Sequence, residues 1–324
     1  MSNYKAGEMI RLTRLSLKMS QETLSENICS VQTLSRIENG RHHVKNHTYQ
    51  QLMERMGRYG GKSFCFFSMD NYSLLEILAQ VNAALSRNAY QELKNYVQQL
   101  KPFRGNHVLN EQYICKNELI ADYRLGNITK DTFLKELQGV VALTLPDHEN
   151  LLERKYPFLY EELMIMMNLA SAYRENENHQ KSMWILSLLL QILETGYMER
   201  HKSIQVKITL MNNLAKVYGE MEDHQAAVHL SKEALIETKR EKLVNMVPNL
   251  YFELAWNMKQ QIEKGDRRED ELSLCKKYLR QGYASAAISK KRYLQNAIEQ
   301  YYRKCFHETI YVYSPSTVGE AMKD

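Results

Sequence analysis

A chain of 324 residues with only 13 glycines and 5 prolines has too few turn formers for a β-rich protein and is too long for one compact core. Its 44% hydrophobic content suits packed helices, yet no run reaches the roughly 20 apolar residues of a membrane span. Met1 to Ala6 lacks the apolar core of a signal peptide. The net charge of +5 is concentrated in residues 1–62, which hold ten Lys/Arg against five Glu, while the remainder balances at 33 basic and 33 acidic residues. A basic module on a neutral body is what phosphate binding requires. Cys29, Cys65, Cys115, Cys275 and Cys305 are widely scattered with no C-x-x-C pair. They read as reduced thiols of a cytoplasmic protein, neither a disulfide framework nor a zinc site.

Residues 6–17 place Met9, Ile10, Leu12, Leu15 and Leu17 among Arg11, Arg14 and Lys18, which predicts an amphipathic helix. Ser20 is a good N-cap for a second helix over 21–27, with Leu24 and Ile28 facing inward. Ser30 caps a third, from Val31 to Asn39, which Gly40 stops. On it Leu34 and Ile37 are spaced to face a core, and Gln32, Thr33, Ser35 and Arg36 lie on other faces. A closing helix over 47–56 carries Tyr49, Leu52, Met53 and Met56.

Two short helices around a tight turn, the second bearing polar side chains near its start, match what the major groove admits. Gln32 can pair with adenine, Arg36 with guanine, and the Thr33 methyl can touch thymine, and Ser30, which begins their helix, is expected with them among the DNA-binding residues. Gln21 is placed to bond a phosphate, and Arg41, His42, His43 and Lys45 follow the reading helix, where they could grip the backbone. Glu38 is tolerable on this helix if Arg14 pairs with it inside the domain.

Through Ser20-Gln21, Leu24 and Ser35-Arg36-Ile37-Glu38-x-Gly40 the segment resembles the Cro/C1-type (XRE) helix-turn-helix family. The shortened turn Ile28-Cys29-Ser30 is similar to that of the Gram-positive peptide-pheromone regulators, the RRNPP (PlcR/Rgg/PrgX-like) type. The resemblance covers about 60 residues, with Val31 departing from the polar residue common at that position. It implies a five-helix-type DNA-binding domain, an operator in double-stranded DNA, a homodimer and a short signalling peptide as partner.

A linker follows, with Gly60-Gly61 and the aromatic cluster Phe64 to Phe67; the expected divisions are 1–62, linker 63–71, array 72–313 and tail 314–324. The array reads as helix after helix. Asn168 to Gln180 and Asn213 to Gln225 are identical at eight of thirteen positions at an offset of 45. A helix ending in Tyr, a polar turn and a second helix with small residues resemble the tetratricopeptide (TPR) pattern, with helices longer than its consensus. Residues 72–100 and 110–143 look like earlier units, and Leu254-Ala255-Trp256 like the start of a later one. The expected fold is all-α, a helix-turn-helix domain followed by a right-handed TPR-like superhelix with a concave surface.

In TPR peptide binders an Asn at the position of Asn168 and Asn213 points into the groove, where its amide can both donate to and accept from a peptide unit. Asn212, Lys216, Asn249 and Trp256 are expected to face inward too. The alternative is that Asn168 and Asn213 cap or bridge helices, and that the array is a ligand-free scaffold for protein interaction and dimerisation. His179 and His224, in matched turns, suggest helix caps. No phosphate-binding loop, dinucleotide fingerprint, H-E-x-x-H or G-x-S-x-G is present, so no enzyme, cofactor or metal is expected.

Overall fold

The computed structural model describes residues 6–56, 72–104, 108–146, 148, 158–194, 198 and 200–310. The linker with its aromatic cluster, the domain edges expected at 62 and 313, and the tail lie outside the described residues. Among those described there are fifteen α-helices and no β-strand. The chain forms two compact units, Met1–Leu85 with Ala89–Lys207, and Ser86–Asn88 with Ile208–Asp324.

The first unit opens with α1 (Ala6–Ser16), α2 (Gln21–Ser25), α3 (Val31–Glu38) and α4 (Asn46–Arg55). Both predicted serine caps are made: the Ser20 hydroxyl accepts the Thr23 N–H, and the Ser30 hydroxyl accepts the Thr33 N–H. Gly40 follows α3 at φ +70, the left-handed conformation that glycine adopts most readily. Met9, Ile10, Leu24, Leu34, Ile37, Leu52 and Met53 are buried and form the core of this small domain. Helix α2 ends two residues earlier than its pattern predicts, and Ile28 is only half-buried. A fifth helix of this domain would fall beyond residue 56, outside the described residues.

The unit continues through α5 (Tyr72–Arg87), α6 (Tyr90–Leu100), α7 (Val108–Arg124), α8 (Lys130–Ala142), α9 (Tyr160–Glu175) and α10 (His179–Leu193). From α6 onward each helix packs on the next in sequence. Leu74, Val81, Ala84, Leu93, Val97, Leu100, Ile114 and Ala121 form a core between α5, α6 and α7. The second unit comprises the part of α11 (Arg200–Glu220) from Ile208 onward, then α12 (His224–Arg240), α13 (Val247–Glu263), α14 (Leu272–Ile288) and α15 (Arg292–Phe306). Ala255, Leu279, Leu294, Ile298 and Tyr302 form its C-terminal core.

The sequence repeat has a backbone counterpart. Glu177 and Glu222 both adopt positive φ (64° and 65°), and the next residues, Asn178 and Asp223, return their N–H groups to the Tyr173 and Tyr218 carbonyls at 2.9 Å. That is a Schellman-type helix end joined directly to the next helix start. The same turn recurs at Asn88-Ala89, Lys242-Leu243 and Lys290-Lys291, with no glycine at any of them. The caps in the matched turns are Asn178 and Asp223, whose side chains accept from Lys181 and Ala226 N–H. His179 and His224 are therefore not the caps but the first helical residues after them. His224 is buried, with Nδ1 2.9 Å from Asn257 Oδ1, so it joins α12 to α13.

Candidate nucleic-acid interface and ligand surfaces

Helix α3 is amphipathic in the sense that recognition needs. Leu34, Ile37 and Glu38 are buried, whereas Gln32 and Arg36 are exposed and Thr33 and Ser35 half-buried. The Thr33 hydroxyl lies 2.8 Å from the Ser30 hydroxyl, so the cap and the first turn hold each other and the Thr33 methyl is the part left for a base. Ser30 is thus occupied in starting the helix, although it is exposed. Arg41, His42, His43 and Lys45 are exposed beyond the helix end; Lys45 occupies the N-cap position of α4 without using its side chain there.

Glu38 faces inward. Its carboxylate receives Arg14 through Nε (2.6 Å) and a second guanidinium nitrogen (2.8 Å), and Arg14 also donates to the Met19 carbonyl. The pairing expected between α1 and α3 is present, two-pronged and buried. Gln21 joins it, its amide N–H donating to Glu38 Oε2 at 2.7 Å. One amide hydrogen of Gln21 is therefore committed inside the domain, which orients the side chain that was expected to meet a phosphate.

Two further residues position these helices and carry no pattern in the sequence. A Cβ on Gly7 would stand 1.9 Å from the Ile37 carbonyl oxygen, so α1 rests directly on the α3 backbone. Arg55, at the end of α4, donates to the Glu26 carbonyl and reaches those of Thr23 and Leu24, closing α4 over the C-terminus of α2. Because the Ile37 carbonyl is backbone and cannot swing away, Gly7→Ala is expected to displace α1. The cost should be about 1–3 kcal/mol, the range for overpacked sites. Loss of amide-exchange protection in α1 and α3, relative to the wild type, checks it.

The residues expected to meet a peptide fall in both units. In the first, Asn168 is half-buried on α9, on the same face as Glu161, Met164 and Ser171, which share that exposure. In the second, Asn212, Asn213 and Lys216 on α11 and Asn249 and Trp256 on α13 are all half-buried. Lys216 Nζ is 3.7 Å from Glu253 Oε1, and Lys291 Nζ donates to the Asn245 carbonyl (2.7 Å) and reaches Asn249 Oδ1 (3.4 Å). Asn212 Oδ1 is sealed from solvent and accepts no hydrogen bond. Trp256 is partly structural: it meets His224 edge-on at 5.6 Å between ring centroids, and a Cβ on Gly219 would lie 2.7 Å from its Cζ3. Sequence reasoning missed Glu161, Glu253 and Lys291. The i, i+4 spacing of Glu253 from Asn249 was the one signal for any of them.

Among the described residues no group of three or more His, Cys, Asp or Glu is placed to hold a metal ion. No described helix is long and apolar enough to cross a membrane.

Residues 10–59 match the family model described as helix-turn-helix, and this segment is a helix-turn-helix domain at the head of a helical-repeat chain. No curated protein matches the chain. Among solved structures, Bacillus thuringiensis PlcR in complex with the peptide PapR7 and DNA is similar, with a TM-score of 0.59 and 19% identity over 91% of this chain and 99% of that one. PlcR in its apo form follows at 0.55 and 17%, over 91% of this chain and 97% of that one. ComR from S. thermophilus, in complex with DNA and its signalling peptide ComS, gives 0.52 and 13%, over 91% and 97%. At these identities the likeness is one of fold: the chain shares their all-α architecture, a helix-turn-helix domain followed by helical repeats.

Proposed function

We propose that this chain is a cytoplasmic, homodimeric, sequence-specific DNA-binding transcription regulator, not an enzyme, whose helical repeats bind a short signalling peptide and so alter operator binding. The observation that carries the reading is α3 itself. A capped first turn presents Gln32, Thr33 and Arg36 outward, while Glu38 is held inward by Arg14. A single reading helix covers only a few base pairs, and two half-sites about a helical turn apart supply the missing affinity, hence the dimer. The peptide half is supported by the shared fold with PlcR and ComR, which their structures hold with PapR7 and ComS. The half-buried amides of Asn168 and Asn213 add to that support. Of the outward residues, Gln32, Thr33 and Arg36 read bases; Gln21, Arg41, His42 and Lys45 grip phosphates around the helix that Ser30 starts.

Binding-site selection from random duplex DNA, followed by titration, tests the DNA half. Gln32→Ala and Arg36→Ala should each cost about 1–3 kcal/mol on the selected site and relax preference at one base position. Lys45→Ala should weaken every sequence alike and flatten the salt dependence. Equal losses on all sequences for all three variants would mean that α3 does not read bases. For the peptide half, a selected peptide should bind the full chain saturably and shift its operator affinity, and both effects should weaken in Asn168→Ala or Asn213→Ala.

A further inference from the structure

Helix α13 carries two cationic side chains of its neighbours on successive turns of one face. Lys216, from α11, lies against Glu253, and Lys291, at the head of α15, lies against Asn249. Glu253 and Asn249 are four residues apart, so their side chains stand about 5–6 Å from each other. The two ammonium groups are thus held on consecutive rungs by one helix. Lys216 has a carboxylate partner, although at 3.7 Å it is a loose one. Lys291 bonds two neutral oxygens, the Asn245 carbonyl and the Asn249 amide, so its charge is hydrogen-bonded but not neutralised by them. Of these contacts only that of Lys216 is with a carboxylate.

Burial and the nearby Lys216 both hold the Lys291 ammonium below its ordinary range, burial contributing more. A half-buried ammonium that is desolvated and repelled is a group for which an incoming anion removes a standing cost.

We propose that Lys216 and Lys291 together bind a carboxylate of the peptide ligand. The proposal rests on the peptide-binding reading above and adds the chemistry of one ligand group and the residues that take it. The carboxylate is supplied by the peptide's C-terminus or by an Asp or Glu side chain. Lys216 keeps Glu253 in this arrangement and so sits between two carboxylates, while Lys291 turns its free hydrogen to the ligand.

The full-length protein, challenged with random heptapeptide pools, provides the test. One pool has free C-termini and no Asp or Glu, a second is C-terminally amidated but contains Asp and Glu, and a third is amidated and lacks both. Captured peptides identified by mass spectrometry should come from the first or the second pool, which also decides the source of the carboxylate, and not from the third. The best captured peptide should lose about tenfold or more in affinity on removal of its carboxylate, and by a similar factor in Lys291→Met or Lys216→Met. Lys291→Arg should keep most of the affinity, and binding should weaken with salt in the wild type more than in Lys291→Met. Equal capture from the third pool, or unchanged affinity in both methionine variants, overturns the carboxylate site and leaves peptide binding standing. Capture from none of the pools overturns the peptide reading and this site with it. The amidation comparison uses only wild-type protein, so a variant that folds poorly does not blunt the test.

Discussion

Glu38→Ala is expected to abolish DNA binding on every sequence by unfolding the N-terminal domain, not by removing a base contact. The Glu38 side chain is 2% exposed and that of Arg14 10%. Removing the carboxylate leaves the Arg14 guanidinium with the neutral Met19 carbonyl, and Gln21 loses the acceptor of its amide N–H. Breaking one side of a buried pair costs about 3–5 kcal/mol, because the remaining charge stays desolvated. A domain of this size holds little more than that in reserve. Amide exchange across α1 to α4 should accelerate to that of an unfolded segment, while the second unit keeps its protection. Arg36→Ala, on the exposed side of the same helix, should leave exchange untouched and lose only its preferred base. Replacing both partners together, Arg14→Met with Glu38→Leu, should recover much of the protection, since no buried charge then remains. A Glu38→Ala protein that melts with the wild type would show that the pair is not what joins α1 to α3.

How much of this was legible in the sequence depends on the range of each interaction. Local chemistry was readable. Ser20 and Ser30 cap the helices that they were expected to cap, Gly40 ends α3, and Leu34 and Ile37 face the core. The Arg14–Glu38 pair was legible because an acid on an otherwise polar reading face needs an internal partner. The repeat was visible as identical residues at 168 and 213, but its backbone device was not. Two of the five αL turns, at Lys242 and Lys290, carry no glycine, asparagine or shared motif that would announce a left-handed residue. The caps at Asn178 and Asp223 were readable, since Asn and Asp are favoured there, and the neighbouring histidines drew the assignment instead.

What could not be read was contact between elements far apart in sequence. Gly7 looks like an ordinary helix residue until α3 is laid against it, when the space for a Cβ vanishes. Lys291 lies 75 residues beyond Lys216 in sequence, and only the packing of α13 between their helices puts both on one face. Trp256 was expected to face a ligand, and its half-buried ring is also a lid over Gly219 and a neighbour of His224. Aromatic residues on repeat helices serve packing and binding alike, and sequence spacing does not separate the two uses.

Glu161→Gln is expected to remove a pH dependence of stability that the wild type shows between about pH 4.5 and 7. Burial pushes the Glu161 carboxyl up to about 7 from 4.5, against the smaller pull of its own backbone N–H and of Lys116, and Glu162 adds a little repulsion. Its Oε2 is sealed from solvent and has no hydrogen-bond partner, so that oxygen has no donor to offset its burial. A carboxyl whose pKa is higher in the folded than in the unfolded chain binds its proton more tightly in the fold. Its contribution is therefore fully present below the unfolded pKa of 4.5 and lost as the pH rises through about 7. The difference corresponds to roughly 3 kcal/mol once both states are ionised. Glutamine matches the shape of the protonated acid and stays neutral. The variant should melt with the wild type at pH 4.5 and well above it at pH 8, read by thermal unfolding of the full chain at both values. Parallel pH profiles for the two proteins would show that Glu161 is ionised in the fold at an ordinary pKa. Glu161 also stands two turns before Asn168 on the same face of α9. The proton that stabilises this helix therefore also sets the charge at one end of the strip proposed to meet the peptide. A basic group brought there by a ligand would favour the ionised form and release that proton, so peptide affinity should rise with pH over the same interval if the ligand is cationic at that end.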